Sequence, residues 1–390
     1  MGRIANLLAS TDAVPTSTDP AWDNYSISEQ RLLHKSEGDK DKLLQLYRRV
    51  ARRKGGSGGR LGALIVLAGS SVVTAIKQAT ESDLLRSNGS YGQGVSLLGN
   101  EMFIGEPGAV GSIFAVGEVH YYTRPDASSD FTRQSGFHSP TQTNGGEFGT
   151  SIDYDGSRVI VGEPNVAKRA NIFTLAGGVA TSEVEIVANT YSDSASRFSR
   201  GVALVGDHCL IGAPGQDITQ TDQGGVEYWE RVAGTWTFRQ AFTMNATPVS
   251  IALFGSGVTM VDSSTAYIGW TTSGDVTIEK WSRSGTTWTY VSSFTVSGYS
   301  ITSFVSLDSD GTNLILGAES YDDGGDADVG LAVVLSQAGV VLEEIFGDTV
   351  GNKLGGGVSI DGSEAVIGEP GDDPSATNNA GTAGVWDVSI

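Results

Sequence analysis

Apolar positions in this chain fall in short clusters that turn residues interrupt within a few positions. Val95-Ser96-Leu97-Leu98 is followed by Met102-Phe103-Ile104, and Val202-Ala203-Leu204-Val205 by Cys209-Leu210-Ile211, with Gly-Asn or Gly-Asp between the runs. Short apolar runs bounded in this way predict buried β-strands, and the intervening pairs suit hairpins because they tolerate positive φ. The clusters also recur. IGEPG stands at 104–108 and again at 367–371, and aligning on its Ile/Val/Leu-Gly pair gives Gly105, Gly162, Gly212, Gly269, Gly317 and Gly368. Their spacing of 48 to 57 residues is a period that propeller blades adopt.

A second anchor precedes each glycine: GQGVSLLG, FGTSIDYDG, SRGVALVG, GSGVTMVD, TSFVSLDSDG and GGGVSIDG. A strand pair with a turn follows, as in 225–242, 275–294 and 330–346. Each repeat thus reads as four short strands, and the whole as an all-β, six-bladed β-propeller. The last repeat ends after its third strand at 381–390, so an N-terminal strand could complete it and close the ring. Residues 62–79 match the downstream strand pair and read as a hairpin. Leu61–Ile76, about 16 residues with glycine and serine inside, is too short for a membrane span. A seventh blade would need two strands from residues 28–60, which read as helical.

Three regions follow: an arm over 1–54, a Gly-rich joint over 55–60, and the propeller over 61–390. In the arm, Ser26 and Glu29 have capping-box spacing, and Leu43, Leu46, Tyr47 and Val50 form a stripe at helical spacing. Such a helix must dock on something: the propeller, a second copy of the chain in a homo-oligomer, or a partner.

The (F/Y)G-x-(S/G)-V-(S/A) segment followed by (I/V)-G-(E/A)-P resembles the FG-GAP repeat of integrin α-chain propellers. Tyr91 through Pro107, Phe148 through Pro164 and Phe198 through Pro214 carry the likeness best, which covers about residues 90–390. The repeats ending at Trp270 and Glu319 lack the proline. The resemblance implies Ca²⁺ in the loop between the first two strands. The matching ligands are Asp153 and Asp155 in one repeat and Asp308 and Asp310 in another. Each loop offers two carboxylates where calcium takes six or more oxygens, and a plain Asp-Gly hairpin turn is the other reading. Asp322, Asp323, Asp326 and Asp328 form a further acidic loop, read as a solvated charge run.

Charge narrows the function. The formal net charge is −20, yet residues 1–60 carry 11 Lys/Arg against 7 Asp/Glu, so the excess of acid lies in the remainder. A body that acidic repels phosphate backbones, which excludes nucleic-acid binding by the propeller. The single cysteine, Cys209, excludes an intramolecular disulfide framework, and the four histidines have no HExxH spacing. Nucleophile elbow, Walker loop and dinucleotide fingerprint are all missing, so no enzymatic activity and no required cofactor are expected. Trp229 and Trp236, then Trp281 and Trp288, repeat a spacing of seven. Cross-strand stacking into a sugar-binding surface and packing between blades both account for it. Glu106, Glu163 and Glu369, each after a strand-two glycine, read equally as loop-ordering acceptors or as ligands.

The expected function is a structural or attachment component of a larger particle, a bacteriophage virion protein of the tail, nozzle or capsid surface. Residues 1–54 would hold other virion or assembly proteins, and the propeller a host surface protein or glycan. Met1–Val14 does not read as a secretory signal, and a virion protein is made in the host cytoplasm without export. A cell-surface adhesin or carbohydrate-binding propeller is the alternative, and a glycan-active enzyme the second.

Overall fold

The computed structural model describes residues 75–78, 87–109, 115–272, 274–323, 325–373 and 379–389. The arm, the joint and all of the 62–79 hairpin except 75–78 lie outside the described residues. Within them the chain is a six-bladed β-propeller of four-stranded antiparallel sheets. No described helix is long and apolar enough to cross a membrane.

After β1 (Ala75–Gln78), blade 1 holds β2 (Val95–Leu98), β3 (Glu101–Glu106), β4 (Glu118–Thr123) and β5 (Thr132–Phe137). Blade 2 is β6 (Ile152–Tyr154), β7 (Arg158–Glu163), β8 (Arg169–Ala176) and β9 (Val179–Val187). Blade 3 is β10 (Val202–Val205), β11 (His208–Ala213), β12 (Gly225–Val232) and β13 (Thr235–Phe242). Blade 4 is β14 (Gly257–Asp262), β15 (Thr265–Thr272), β16 (Gly274–Ser284) and β17 (Thr287–Ile301). Blade 5 is β18 (Ser306–Ser309), β19 (Asn313–Ala318), β20 (Leu331–Ser336) and β21 (Val341–Phe346). Blade 6 is β22 (Val358–Asp361), β23 (Glu364–Glu369) and β24 (Thr382–Asp387), and β1 is its outer strand. Ala75 pairs with Trp386 and Gln78 with Gly384, so strands from the two ends of the described chain share one sheet. Closure of this kind leaves the ring without a raw seam.

Burial explains the strand pattern. The second strand of each blade is sandwiched between neighbours and reads as a continuous apolar run, such as Val159-Ile160-Val161, whereas the outer β9 is exposed or half-buried everywhere but at Ile186. Glycine sets the blade spacing. A Cβ built on Gly105 would collide with the Gly149 carbonyl of the next blade, and one on Gly368 with that of Gly92. Gly162, Gly212 and Gly317 meet Ser199, Gly255 and Gly355 in the same way. The residue just before each of these turn positions is a buried anchor: Tyr91, Phe148, Phe198, Phe254 or Leu354. The Phe148 N–H donates to Val116 O of the preceding blade at 3.2 Å, and that of Phe254 to Gln223 O at 3.1 Å.

The innermost strands carry polar side chains at one register position in five blades, Ser96, Asp153, Thr259, Asp308 and Ser359, and Ala203 in blade 3. Ser359 Oγ donates to Asp308 Oδ2 at 2.6 Å and accepts from the Leu97 N–H at 2.9 Å, which links blades 5, 6 and 1.

Candidate binding site at the channel mouth

Blade 5 breaks the repeat, and the break lies at the wall of a cavity. Ser306 occupies the register of Gly94, because Ser306 pairs with Gly317 as Gly94 faces Gly105. Counting back, Ser303 stands where the other blades have the buried anchor, and Phe304 stands where they have Gly92, Gly149, Ser199, Gly255 and Gly355. The anchors elsewhere are buried; Phe304 is only half-buried. Without the glycine turn, Gly269 of blade 4 faces Val305 Cγ2, which a Cβ would meet at 3.1 Å rather than in outright collision.

Phe304 lines a cavity of about 480 Å³ at one mouth of the central channel, with Gln93, Glu147, Arg197, Arg200 and Glu319. Two guanidinium groups sit over its ring, Arg197 Cζ at 4.9 Å from the centroid and Arg200 Cζ at 5.1 Å. Such contacts contribute roughly 0.5–2 kcal/mol each, rising with desolvation. The two arginines differ. Arg200 is buried; burial lowers its pKa, opposed by Glu319, whose Oε1 lies 3.6 Å from its Nη2. Gln93 Nε2 holds the other Glu319 oxygen at 3.2 Å. Arg197 is exposed and lies in the left-handed region with φ of 50°. Among the described residues no carboxylate lies within ion-pair reach of it. The mouth therefore presents an aromatic face, one anchored cation and one available cation on an otherwise acidic body.

The aspartates expected to hold calcium are distributed differently. Asp153 Oδ2 accepts from the Leu204 N–H of the next blade at 2.6 Å, and Asp308 Oδ2 from Ser359 Oγ and the Ile360 N–H. Burial raises the pKa of both carboxyls, and at Asp153 the Asp308 charge adds to the effect. Asp155 Oδ1 accepts from the Ser157 and Arg158 N–H groups, and Asp310 Oδ1 from those of Thr312 and Asn313, as Asp-Gly turns do. A calcium ion would have to displace these backbone donors. In the other acidic loop, Asp322 Oδ1 accepts from the Asp328 N–H at 2.8 Å.

The tryptophans pack between blades. Trp236 Nε1 donates to Glu183 of blade 2 at 3.1 Å, and Trp288 meets Tyr228 of blade 3 edge-on at 5.9 Å. Trp281 meets Phe242 of blade 3 at 4.6 Å as well as Tyr290 across its hairpin, and Trp229 faces Phe238 across its own. Two of the recurring glutamates are buried: Glu163 accepts from Arg169 Nε at 2.7 Å, and Glu106 meets His120. The acceptor role also passes to glutamates on third strands, where Glu227 takes the N–H groups of Asn189, Thr190 and Tyr191.

No protein-family model matches the sequence, and no curated protein matches it. Solved propellers resemble the fold. A candidate 6-phosphogluconolactonase from Bacteroides uniformis aligns with TM-score 0.47 at 9% identity, covering 71% of this chain and 77% of that one. One from Bacteroides fragilis gives 0.44 at 8%, covering 71% and 75%. A protein of unknown function from Desulfotomaculum acetoxidans gives 0.39 at 14%, covering 64% and 70%.

Proposed function

We propose that this chain is a non-enzymatic attachment component of a larger particle, a bacteriophage virion, anchored through residues 1–54 and recognising an acidic group at the channel mouth. The observation that carries the recognition half is the displaced Phe304 with Arg197 and Arg200 over its ring in a 480 Å³ cavity. An aromatic face beside an available guanidinium suits a carboxylated sugar or an acidic side chain: the ring covers the apolar face, and Arg197 pairs with the carboxylate. The anchoring half rests on charge, since a basic arm joined by glycines to an acidic body separates attachment from recognition.

The test is titration of the full chain with sialylated and uronate-bearing oligosaccharides against neutral ones, in low and high salt. Binding should favour the carboxylated sugars, weaken with salt and fall in Arg197→Ala, which leaves the buried Arg200–Glu319 pair in place. Equal affinity for neutral sugars, or none for any, would remove the mouth from the proposal. Mass spectrometry of gradient-purified phage particles tests the anchoring half; detection only at a cell surface would favour an adhesin.

A further inference from the structure

Blades 1 and 2 carry matching polar positions at the ends of their second and third strands, with opposite electrostatics. In blade 2, Glu163 faces Arg169 across the ladder and Asn171 lies two residues further on. Arg169 Nε donates to Glu163 Oε2 at 2.7 Å, and Asn171 Nδ2 donates to the same oxygen at 3.2 Å. In blade 1 the same register holds Glu106, Glu118 and His120. A second carboxylate thus replaces the arginine, and an imidazole replaces the amide. All three are buried.

Glu118 and His120 project to one face of β4, as residues two apart on a strand do. His120 Nε2 lies 3.0 Å from Glu106 Oε2, and its Nδ1 lies 3.9 Å from Glu118 Oε1. The ring is 0% exposed, and no hydrogen bond from the described residues reaches Nδ1. One ligand atom from each of the three lies within 4.8 Å of the others. Arg133 Nη2 approaches Glu118 from the outer strand at 3.3 Å. Gly136, opposite His120, leaves open the space where a Cβ would strike the Glu118 carboxylate.

We propose that Glu106, Glu118 and His120 form a binding site for a divalent transition-metal ion of the zinc or manganese class. One imidazole nitrogen and two carboxylate oxygens suit such ions, which take these ligands at about 2.0–2.2 Å. Ligands of one such ion stand about 3–4 Å apart, so closure asks for side-chain shifts of about 1 Å. A dication would add to the positive charge that Arg133 brings to this pair of buried carboxylates. Glu106 and Glu118 bracket the connection that brings Pro107, Gly108 and Ala115 to the channel mouth, so the ion would fix the base of that wall.

The experiment uses the full chain, stripped with a chelator, dialysed, and titrated with Zn²⁺ by calorimetry and with Co²⁺ by visible absorption, alongside thermal unfolding. One ion per chain should bind and raise the unfolding temperature. Affinity should fall roughly tenfold or more in His120→Gln. The double substitution Glu118→Arg with His120→Asn copies the blade 2 set, so it should fold and lose the site. No stoichiometric binding to the unsubstituted chain, or undiminished binding in the folded double variant, overturns the proposal. The trio would then be a structural cluster in which His120 packs between two buried glutamates.

Discussion

Five blade junctions and the sixth are built from the same repeat and behave oppositely. At five, a glycine on the second strand lies against the turn of the next blade so closely that a Cβ would collide with a backbone carbonyl. A buried anchor, aromatic in four and Leu354 in the fifth, is clamped behind that turn. Between blades 4 and 5 the turn glycine is Phe304, the anchor is Ser303, and Gly269 meets only a valine methyl. Where the repeat is kept, the anchor and the turn residue are consumed by packing; where it slips, a large side chain lines the mouth and carries two arginines over its ring. Departure from the repeat, more than the repeat, marks the candidate site.

The largest effect should come from forcing the two kinds of junction to carry the same substitution. Gly212→Ala puts a methyl into the Gly255 carbonyl, and backbone cannot give as a side chain can. It should cost about 3 kcal/mol or more. Gly269→Ala meets Val305 Cγ2 at 3.1 Å, a contact relieved by a few tenths of an ångström. Its cost should stay within about 1 kcal/mol, partly offset by the lower chain entropy of alanine in a strand. Denaturant unfolding of the pair checks this. Equal losses would mean that the sixth junction is as tight as the rest.

The contrast also explains what was legible in the sequence. Blade number and strand order were readable because the close approach demands glycine at Gly105, Gly162, Gly212, Gly317 and Gly368, so the packing constraint appears directly as a period. The mouth was harder to see, because TSFVSLDSDG differs from its counterparts by a one-residue displacement of phenylalanine that only strand register exposes. Glu118 and His120 carried a signal, alternation on one strand, but Glu106 joins them only through cross-strand pairing. The tryptophan spacing did not separate cross-strand stacking from packing between blades, and the hairpin register explains why the pairs do not meet. The hairpins pair Val232 with Thr235 and Ser284 with Thr287, and that register carries Trp229 opposite Phe238 and Trp281 opposite Tyr290.

The glutamates beside the junction glycines sharpen the comparison next. Glu163 is buried against Arg169, so Glu163→Gln leaves that guanidinium with the more distant Glu185 carboxylate at 3.8 Å and should cost about 2–3 kcal/mol across neutral pH. Glu369 has Asn352 Nδ2 at 3.2 Å instead of a cation, and burial, then Asp372, push its carboxyl up to about 7 from 4.5. A carboxyl with a raised folded-state pKa holds its proton more tightly folded than unfolded. Its contribution is therefore complete below about pH 4.5 and lost as pH rises through about 7. Glu369→Gln keeps the neutral shape at every pH, so its stability relative to the unsubstituted chain should improve from pH 5 to pH 8 by about 1–2 kcal/mol. A flat difference would show that Glu369 ionises freely in the fold.

The smallest effect on folding, and the most informative for function, should come from restoring the repeat. Phe304→Gly places in blade 5 the residue that four of the other blades use at that position. Phe304 is half-buried and Val305 remains buried behind it, so stability should change by only about 1 kcal/mol. The guanidinium groups of Arg197 and Arg200, at 4.9 and 5.1 Å from the ring, lose their seat. Arg200 stays tethered to Glu319 at 3.6 Å, whereas Arg197 becomes free to sample other rotamers. Affinity for a carboxylated sugar should then drop roughly tenfold, matching one lost cation–π seat of a desolvated pair. Parallel calorimetry and thermal unfolding separate the outcomes. Unchanged affinity in a stable Phe304→Gly chain would make the displaced phenylalanine a tolerated flaw in blade 5, and the candidate site would lose its defining residue.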